Sequence, residues 1–528
     1  MQQKICIISP ALCAQKVILY LYKALNEFNY VKNYKGGYFM KKPFIQLFRT
    51  PNAKYVLDVN NNEFLQLSDE SFAYLVEVMN STDDSYDAWE DNKNTPQELI
   101  ELRDAGYLAN ESVIEEIRHS YSDYLEIFLE RKVSKLTLQL TQDCNFRCTY
   151  CIYSNEGNDR QRGHSKVKID WDTAKKAIDF LWEHSADSPS VNIGFYGGEP
   201  LLEFPLIEKA VEYSKNLFSG KNLTFSITTN GTLLTDSKIL FLEKHDVSLM
   251  VSLDGPKQVN DKNRVFVDGA GTFDSVMTQI SRIKEIAPNL AKNLQISMVI
   301  DPENDFDCIN QLCLQGAELE ELRVSSSIVE FDYQDKDIYF SKEYSEKSEY
   351  QRFLALLAHL NRFPRSHISP ITRASVDRLI EECTILFSNT KLRPIDAPSG
   401  PCIPGQLRLF VNAFGNFYPC ERVSEASPSM IIGNLDDGFD LDKADKILNV
   451  GNLTESACKN CWSFRHCYLC AKKADNNENE LSAERKLSFC DEVRGNSYSK
   501  LNLHLFLNEV GIVYAQQLRA KNGTGGVV

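Results

Sequence analysis

The chain has no run approaching the ~18 apolar residues that a membrane-spanning helix needs, so no membrane partner is expected. It also lacks an excess of positive charge. Lys and Arg number 58 against 73 Asp and Glu, a net charge of -15 at pH 7. That balance argues against the phosphate backbone of nucleic acid as a main partner and suits a basic peptide or a small molecule. Cysteine, by contrast, is plentiful: 15 in 528 residues, within a composition (43% hydrophobic, 25% charged) otherwise that of a soluble globular protein. At roughly 100–200 residues per domain, the length accommodates about three or four domains.

A short apolar patch after Lys4, ICIISPALCA, imitates a secretory signal. The cysteine spacings point instead to cluster ligation by reduced thiols, so a cytoplasmic location is expected. A second Met, at 40, leads into PFIQLFRTP, and the preceding KGGYF could be encoded by a purine-rich ribosome-binding sequence. Residues 1–39 are therefore expected to lie outside the native domain, and 1–42 are set apart as an extension. Mass analysis of the endogenous protein would check this. The tail, NGTGGVV, is Gly-rich and expected to be flexible.

KYVLDVNNNEFLQLS, residues 54–68, alternates apolar and polar about Asn60-Asn61-Asn62 and predicts a β-hairpin. Ser68 is placed to cap the next helix. A second helix is expected from TPQE, with Thr95 as cap, Pro96 in the first turn, Glu98 closing a capping box and Gly106 as the stop. Together, residues 43–125 predict a small winged-helix-like module. Residues 132–335 alternate strands and helices. KLTLQLT is followed by DTAKKAIDFLWEH, with Ala174, Ala177, Ile178, Leu181 and Trp182 on one face, then by five further short strands. The fold class is α/β: six parallel strands with helical crossovers, a partial (β/α)6 barrel or an open sheet. Residues 336–399 predict a helical bridge, 400–495 a Cys-rich domain, and 496–528 a closing helix and tail.

The chemistry of such sheets sits at the C-terminal ends of the strands. There TQDCNFRCTYC places Cys144, Cys148 and Cys151, with Tyr150 before the last. A [4Fe–4S] cube normally takes four cysteines, so three leave one iron free; a zinc loop or spare buried thiols is the plainer alternative. The spacing resembles the CX3CXΦC motif of the radical S-adenosylmethionine (SAM) superfamily, Tyr150 filling the aromatic place. The resemblance implies that the open iron holds SAM and that cleavage of SAM yields a 5′-deoxyadenosyl radical. It further implies SAM contacts from Gly197, Gly198 and Glu199 in the GGEP turn, Asn230 in TTNGT, and Ser252 and Asp254 in SLDGP. Arg264, whose guanidinium fork suits a carboxylate, completes the set. Asp254 has the plainer reading of shaping its turn.

A second set follows at Cys402, Cys420, Cys458, Cys461, Cys467, Cys470 and Cys490. Its spacing, GX4C and then CX2CX5CX2C, resembles the SPASM extension of radical SAM enzymes, although the usual CX3C is CX2C at Cys467–Cys470. A zinc ribbon is the alternative for CX2C pairs, but seven cysteines exceed one zinc site. The resemblance implies two auxiliary clusters, hence three [4Fe–4S] clusters in all. Cys458, Cys461, Cys467 and Cys490 hold one. Cys402, Cys420 and Cys470 hold the other, one ligand short, because Asp396 stands where some relatives carry a cysteine. An open iron there would bind a substrate thiol; Cys383 is the alternative fourth ligand. Cys6, Cys13, Cys308, Cys313 and Cys383 receive no function.

The N-terminal module resembles the leader-recognition element of ribosomal-peptide (RiPP) maturases for Cys-rich peptides, of the sactipeptide and ranthipeptide type. The implied reaction is thioether formation on a precursor peptide with a leader and a Cys-rich core, with flavodoxin or ferredoxin as electron donor. Alternatives are carbon–carbon cross-linking, epimerisation, or formylglycine formation on a sulfatase, which needs no leader-binding module. Outside catalysis, the alternative is an iron–sulfur regulator that binds DNA. Its acidic charge and SAM motifs speak against it, and SAM cleavage by the reduced protein separates the two.

Overall fold

The computed structural model describes residues 42–81, 93–153, 163–315, 323–331, 336–385 and 391–511. The expected N-terminal extension, except Lys42, and the Gly-rich tail lie outside these residues.

The predicted hairpin is part of a three-stranded antiparallel sheet: β1 (Ile45–Arg49), β2 (Lys54–Asp58) and β3 (Glu63–Leu67), in that order. Ser68 caps helix Asp69–Asn80 by accepting from the Ser71 N–H. The second capping box does not form. Helix Gln97–Asp104 begins after Pro96 with no side-chain cap, and Thr95 pairs its hydroxyl with Tyr74 at 3.0 Å. Glu98 instead turns to the other helix, where its carboxylate accepts from the Ser68 N–H and hydroxyl at 3.1 and 2.6 Å. A carboxylate on one helix that holds the cap of another is a tertiary contact, which local spacing does not encode. This unit packs Phe48 against Trp462 and Tyr498, so residues 43–125 share an apolar cluster with the C-terminal region.

Two short strands, β4 (Glu116–Ile117) and a partner late in the chain, leave the first unit. The central sheet then begins with β5 (Lys135–Thr141), β6 (Ser190–Gly197), β7 (Asn222–Thr229), β8 (Val247–Ser252), β9 (Gln295–Ile300) and β10 (Arg323–Ile328). These six are parallel neighbours in chain order, the partial barrel expected. Alternation explains their packing. Leu136, Leu138 and Leu140 of β5 join Ala174, Ala177, Ile178 and Leu181 in the main core, while Thr137 and Gln139 face the other way. Helix Trp171–Glu183 is capped by Asp170, which accepts from the Thr173 N–H at 2.7 Å.

Trp182 departs from expectation: it is 50% exposed, and Phe180 is buried in its stead. The reason is distant in sequence. Phe180 meets Phe417 and Phe439, which belong to strands that continue the same sheet. After β11 (Ile395–Asp396), the partner of β4, come β12 (Leu409–Val411), β13 (Asn416–Tyr418), β14 (Gly433–Asn434) and β15 (Gly438–Phe439). Strand β12 runs parallel to β5, with Leu409 opposite Leu136, so among the described residues the sheet has ten strands and crosses the expected boundary at residue 400. Helices Lys342–His359 and Pro370–Ile385 occupy the expected bridge and pack on Phe506 and Leu507 of the last helix. That helix spans Cys490–Glu509, so the expected boundary at 495/496 falls inside it.

Candidate active site

The cysteine loop leaves the end of β5, where the pairing with β6 shifts register between Gln139 and Thr141. The GGE turn after β6 lies directly on this loop. The Gly198 N–H donates to Thr141 O at 2.8 Å and the Glu199 N–H to Asp143 O at 2.9 Å. A Cβ on Gly198 would lie 2.2 Å from Asp143 O; one on Gly197, whose φ is +144°, would lie 2.4 Å from Thr141 O. The two glycines thus let backbone meet backbone. Glu199, 1% exposed, spends its carboxylate inside the protein. It accepts from Leu201 N–H (2.9 Å), the Thr229 hydroxyl (2.7 Å) and Asn230 N–H (2.8 Å). Burial pushes its carboxyl above the usual range, and those donors oppose the shift. Asn230 relays the arrangement to the loop, donating to Asn145 Oδ1 at 2.8 Å and to Cys144 Sγ at 3.9 Å.

Tyr150, Asp254 and Arg264 form a second connected set. The Tyr150 hydroxyl donates to Asp254 and accepts from Arg264 Nη1 at 2.8 Å. Asp254 also accepts from the Val299 N–H at 3.0 Å, which ties β9 to the loop. Both of its oxygens are therefore engaged by protein. Arg264, 6% exposed, lies over the Phe146 ring, 5.5 Å from its centroid. Its Nε is buried with no hydrogen-bond partner among the described residues, a donor suited to an anionic ligand. Ser252 ends β8, half-buried.

Burial pushes Cys144 and Cys148 up to about 12; the Arg264 charge opposes this at Cys148. A bound cation would favour their thiolates. Backbone N–H groups two residues on donate to the sulfurs: Phe146 to Cys144 at 3.3 Å and Tyr153 to Cys151 at 3.4 Å. The same i to i+2 arrangement recurs at Cys461, Cys467 and Cys470. Such donors stabilise thiolate and tune cluster potential.

The later cysteines gather in two groups. Cys470 lies within the electrostatic reach of Cys420 and Cys402, and Gly400 makes this possible: a Cβ there would meet Leu469 O at 2.3 Å. Cys467 is in reach of Cys461 and Cys458, and Cys490 of Cys458. Among the described residues, no three His, Cys, Asp or Glu side chains converge on a single metal ion. Asp396 is unlike a ligand: 2% exposed, it pairs with Arg465 at 2.7 Å. The Cys383 side chain lies outside those described.

Several contributors carry no sequence signal. Buried Gln139 donates to Tyr153 and to Glu425 and accepts from the Ala413 N–H, locking β5 to the C-terminal strands. Lys486, in contact with Cys458, likewise has no motif of its own; Asn145 and Thr229 lie inside TQDCNFRCTYC and TTNGT, but nothing in their spacing marks their roles.

Residues 138–310 match the family model of the Radical SAM superfamily. Among curated relatives, an uncharacterised protein of Methanocaldococcus jannaschii is 37% identical over 142 residues, 27% of this chain and 46% of that one. The radical SAM cyclopropyl synthase TigE of Paramaledivibacter caminithermalis is 28% identical over 188 residues, 34% of this chain and 38% of TigE. The chain therefore spans less than half the length of these two relatives. A cysteine-type anaerobic sulfatase-maturating enzyme of Clostridium perfringens is 24% identical over 63% of this chain and 87% of its own. Of solved structures, anSMEcpe with bound AdoMet superposes with TM-score 0.52 and 21% identity over 72% of this chain and 99% of that one, a likeness of fold.

Proposed function

We propose that the protein is a peptide maturase that joins a cysteine sulfur of a precursor peptide to a carbon of the same peptide. The observation that carries this reading is the separate group of Cys402, Cys420 and Cys470, with Cys402 exposed and Asp396 withheld by Arg465. A group of three thiols opening to solvent leaves a place for a peptide thiol. Cys144, Cys148 and Cys151 would hold the SAM-binding cluster. Cys458, Cys461, Cys467 and Cys490 would hold the second auxiliary one. When bound, the first cluster and SAM supply a 5′-deoxyadenosyl radical able to take hydrogen from an unactivated carbon.

The chain's own residues position and protect. Arg264 offers a buried donor to the SAM carboxylate, and the Tyr150 hydroxyl holds Arg264 in place. Glu199 and Asn230 fix the loop rather than act on the peptide. Forming the thioether removes one hydrogen atom, one proton and one electron from the peptide, so an electron acceptor is required. Residues 43–125 would bind the leader. The relatives support peptide modification in general; a sulfatase-maturating relative with 87% of its length matched favours formylglycine formation as the second reading.

The reduced, anaerobically reconstituted protein should cleave SAM. With a Cys-rich peptide encoded beside it, it should return a product lighter by two hydrogen atoms and missing one alkylatable thiol. Formylglycine on a sulfatase peptide, with the Cys-rich peptide untouched, would establish the second reading instead.

A further inference from the structure

Lys486 is 2% exposed. Its ammonium donates to Thr454 Oγ1 at 2.5 Å and to Cys458 Sγ at 3.5 Å, and neither acceptor is a carboxylate. Burying an ammonium away from any negative partner is costly, so a lysine in this position implies an anion nearby. Of its two acceptors, the one that can carry negative charge is the Cys458 sulfur. Its charge also acts on Cys467 and Cys490. Arg494 adds a second cation, hydrogen-bonded to Cys461 and acting on Cys490, with Asp491 paired to it at 2.6 Å. The cations beside the three-thiol group differ from Lys486. Arg408 is matched by Glu421 and Lys472 by Glu330.

We propose that Lys486 is a built-in counter-ion for an anionic iron–sulfur cluster held by Cys458, Cys461, Cys467 and Cys490, and that it raises the reduction potential of that cluster. The inference rests on the ligand assignment proposed above. One-electron reduction adds one negative charge to the cluster, with no bond made or broken. A fixed positive charge at a ligating sulfur favours the reduced form, and salt screens a buried pair poorly. On the thioether reading, the electron would be the one released by the peptide as its new bond forms. Lys486 is thus a positioning residue that suits the four-thiol centre to receive that electron.

The test is a potentiometric titration with EPR detection on the full-length protein, prepared anaerobically, with iron and sulfide counted per chain. Lys486→Met and Lys486→Gln remove the charge; Lys486→Arg keeps it. With full iron content, the midpoint of one cluster should fall in Met and Gln by at least about 59 mV, tenfold for one electron, and stay near native in Arg. Equal midpoints in all four proteins would overturn the proposal. Loss of one cluster from the Met and Gln variants but not from Arg would support it; loss from all three would show a need for shape rather than charge and overturn it. The ligand assignment fails separately: if Cys461→Ala keeps all of its iron, that reading is wrong before any potential is measured.

Discussion

Substituting Gly198 by Ala tests whether the GGE turn exists to seat the cysteine loop. The added Cβ would lie 2.2 Å from Asp143 O and 2.7 Å from Asp143 C, both backbone atoms that no rotamer change relieves. Loop and turn must separate, and two bonds across the seam, Gly198 N–H to Thr141 O and Glu199 N–H to Asp143 O, are the ones stretched. At about 1 kcal/mol for each bond and about 1–3 kcal/mol for overpacking, the local cost is about 3–5 kcal/mol. Hydrogen exchange on the apo protein reads this directly. The Glu199 amide should lose at least roughly 100-fold of its protection, because each 1.4 kcal/mol is tenfold. Iron bound at Cys144, Cys148 and Cys151 should fall in parallel. Gly495, within helix Cys490–Glu509, is the control: a Cβ there would meet nothing within 4 Å, so Ala should stabilise by about 0.5–1 kcal/mol. Native protection of the Glu199 amide in Gly198→Ala, with full iron, would refute the steric argument.

Other outcomes follow from the same geometry. Cys148→Ala should abolish SAM cleavage and lower iron by one cluster while leaving the later two groups loaded, as Mössbauer spectroscopy would report. Asp396→Ala should leave Arg465 without its carboxylate and cost about 3–5 kcal/mol in denaturant unfolding, with unchanged iron content; lost iron would make Asp396 a ligand after all. Tyr150→Phe removes the hydroxyl that accepts from Arg264, so SAM affinity should drop about tenfold by calorimetry, whereas an unchanged affinity would detach Arg264 from the SAM carboxylate. A precursor peptide should protect amides within residues 43–125 from exchange. Point variants serve better than deletion here, because removing those residues would uncover Trp462, Phe464, Leu501 and Leu505.

Much of the barrel was readable from alternation and caps, because each strand's face and each helix's start are set by neighbours in sequence. The grouping of the later cysteines came from the resemblance to the SPASM extension and not from spacing: Cys467 and Cys470, a CX2C pair, face different neighbours, Cys461 and Cys458 for one and Cys420 and Cys402 for the other. What escaped reading was long-range. Glu98 found Ser68, Phe180 found Phe417, and β12 found β5, all contacts whose partners lie far along the chain. Tyr150 was legible as an aromatic but not as a phenol gripping Asp254 and Arg264. Lys486 was invisible, since a single lysine has no period, and only its burial beside sulfur marks it out.

The ladder between β5 and β12 has a mechanical consequence. One strand ends in the loop of Cys144, Cys148 and Cys151; the other lies between Cys402 and Cys420. Joined edge to edge, they would act, on the proposed function, as a ruler of fixed length between the place where a carbon would be activated and the place where a sulfur would wait. Selection for one ring size over another would then fall on the peptide, which must bend to fit the gauge, and not on any hinge in the enzyme.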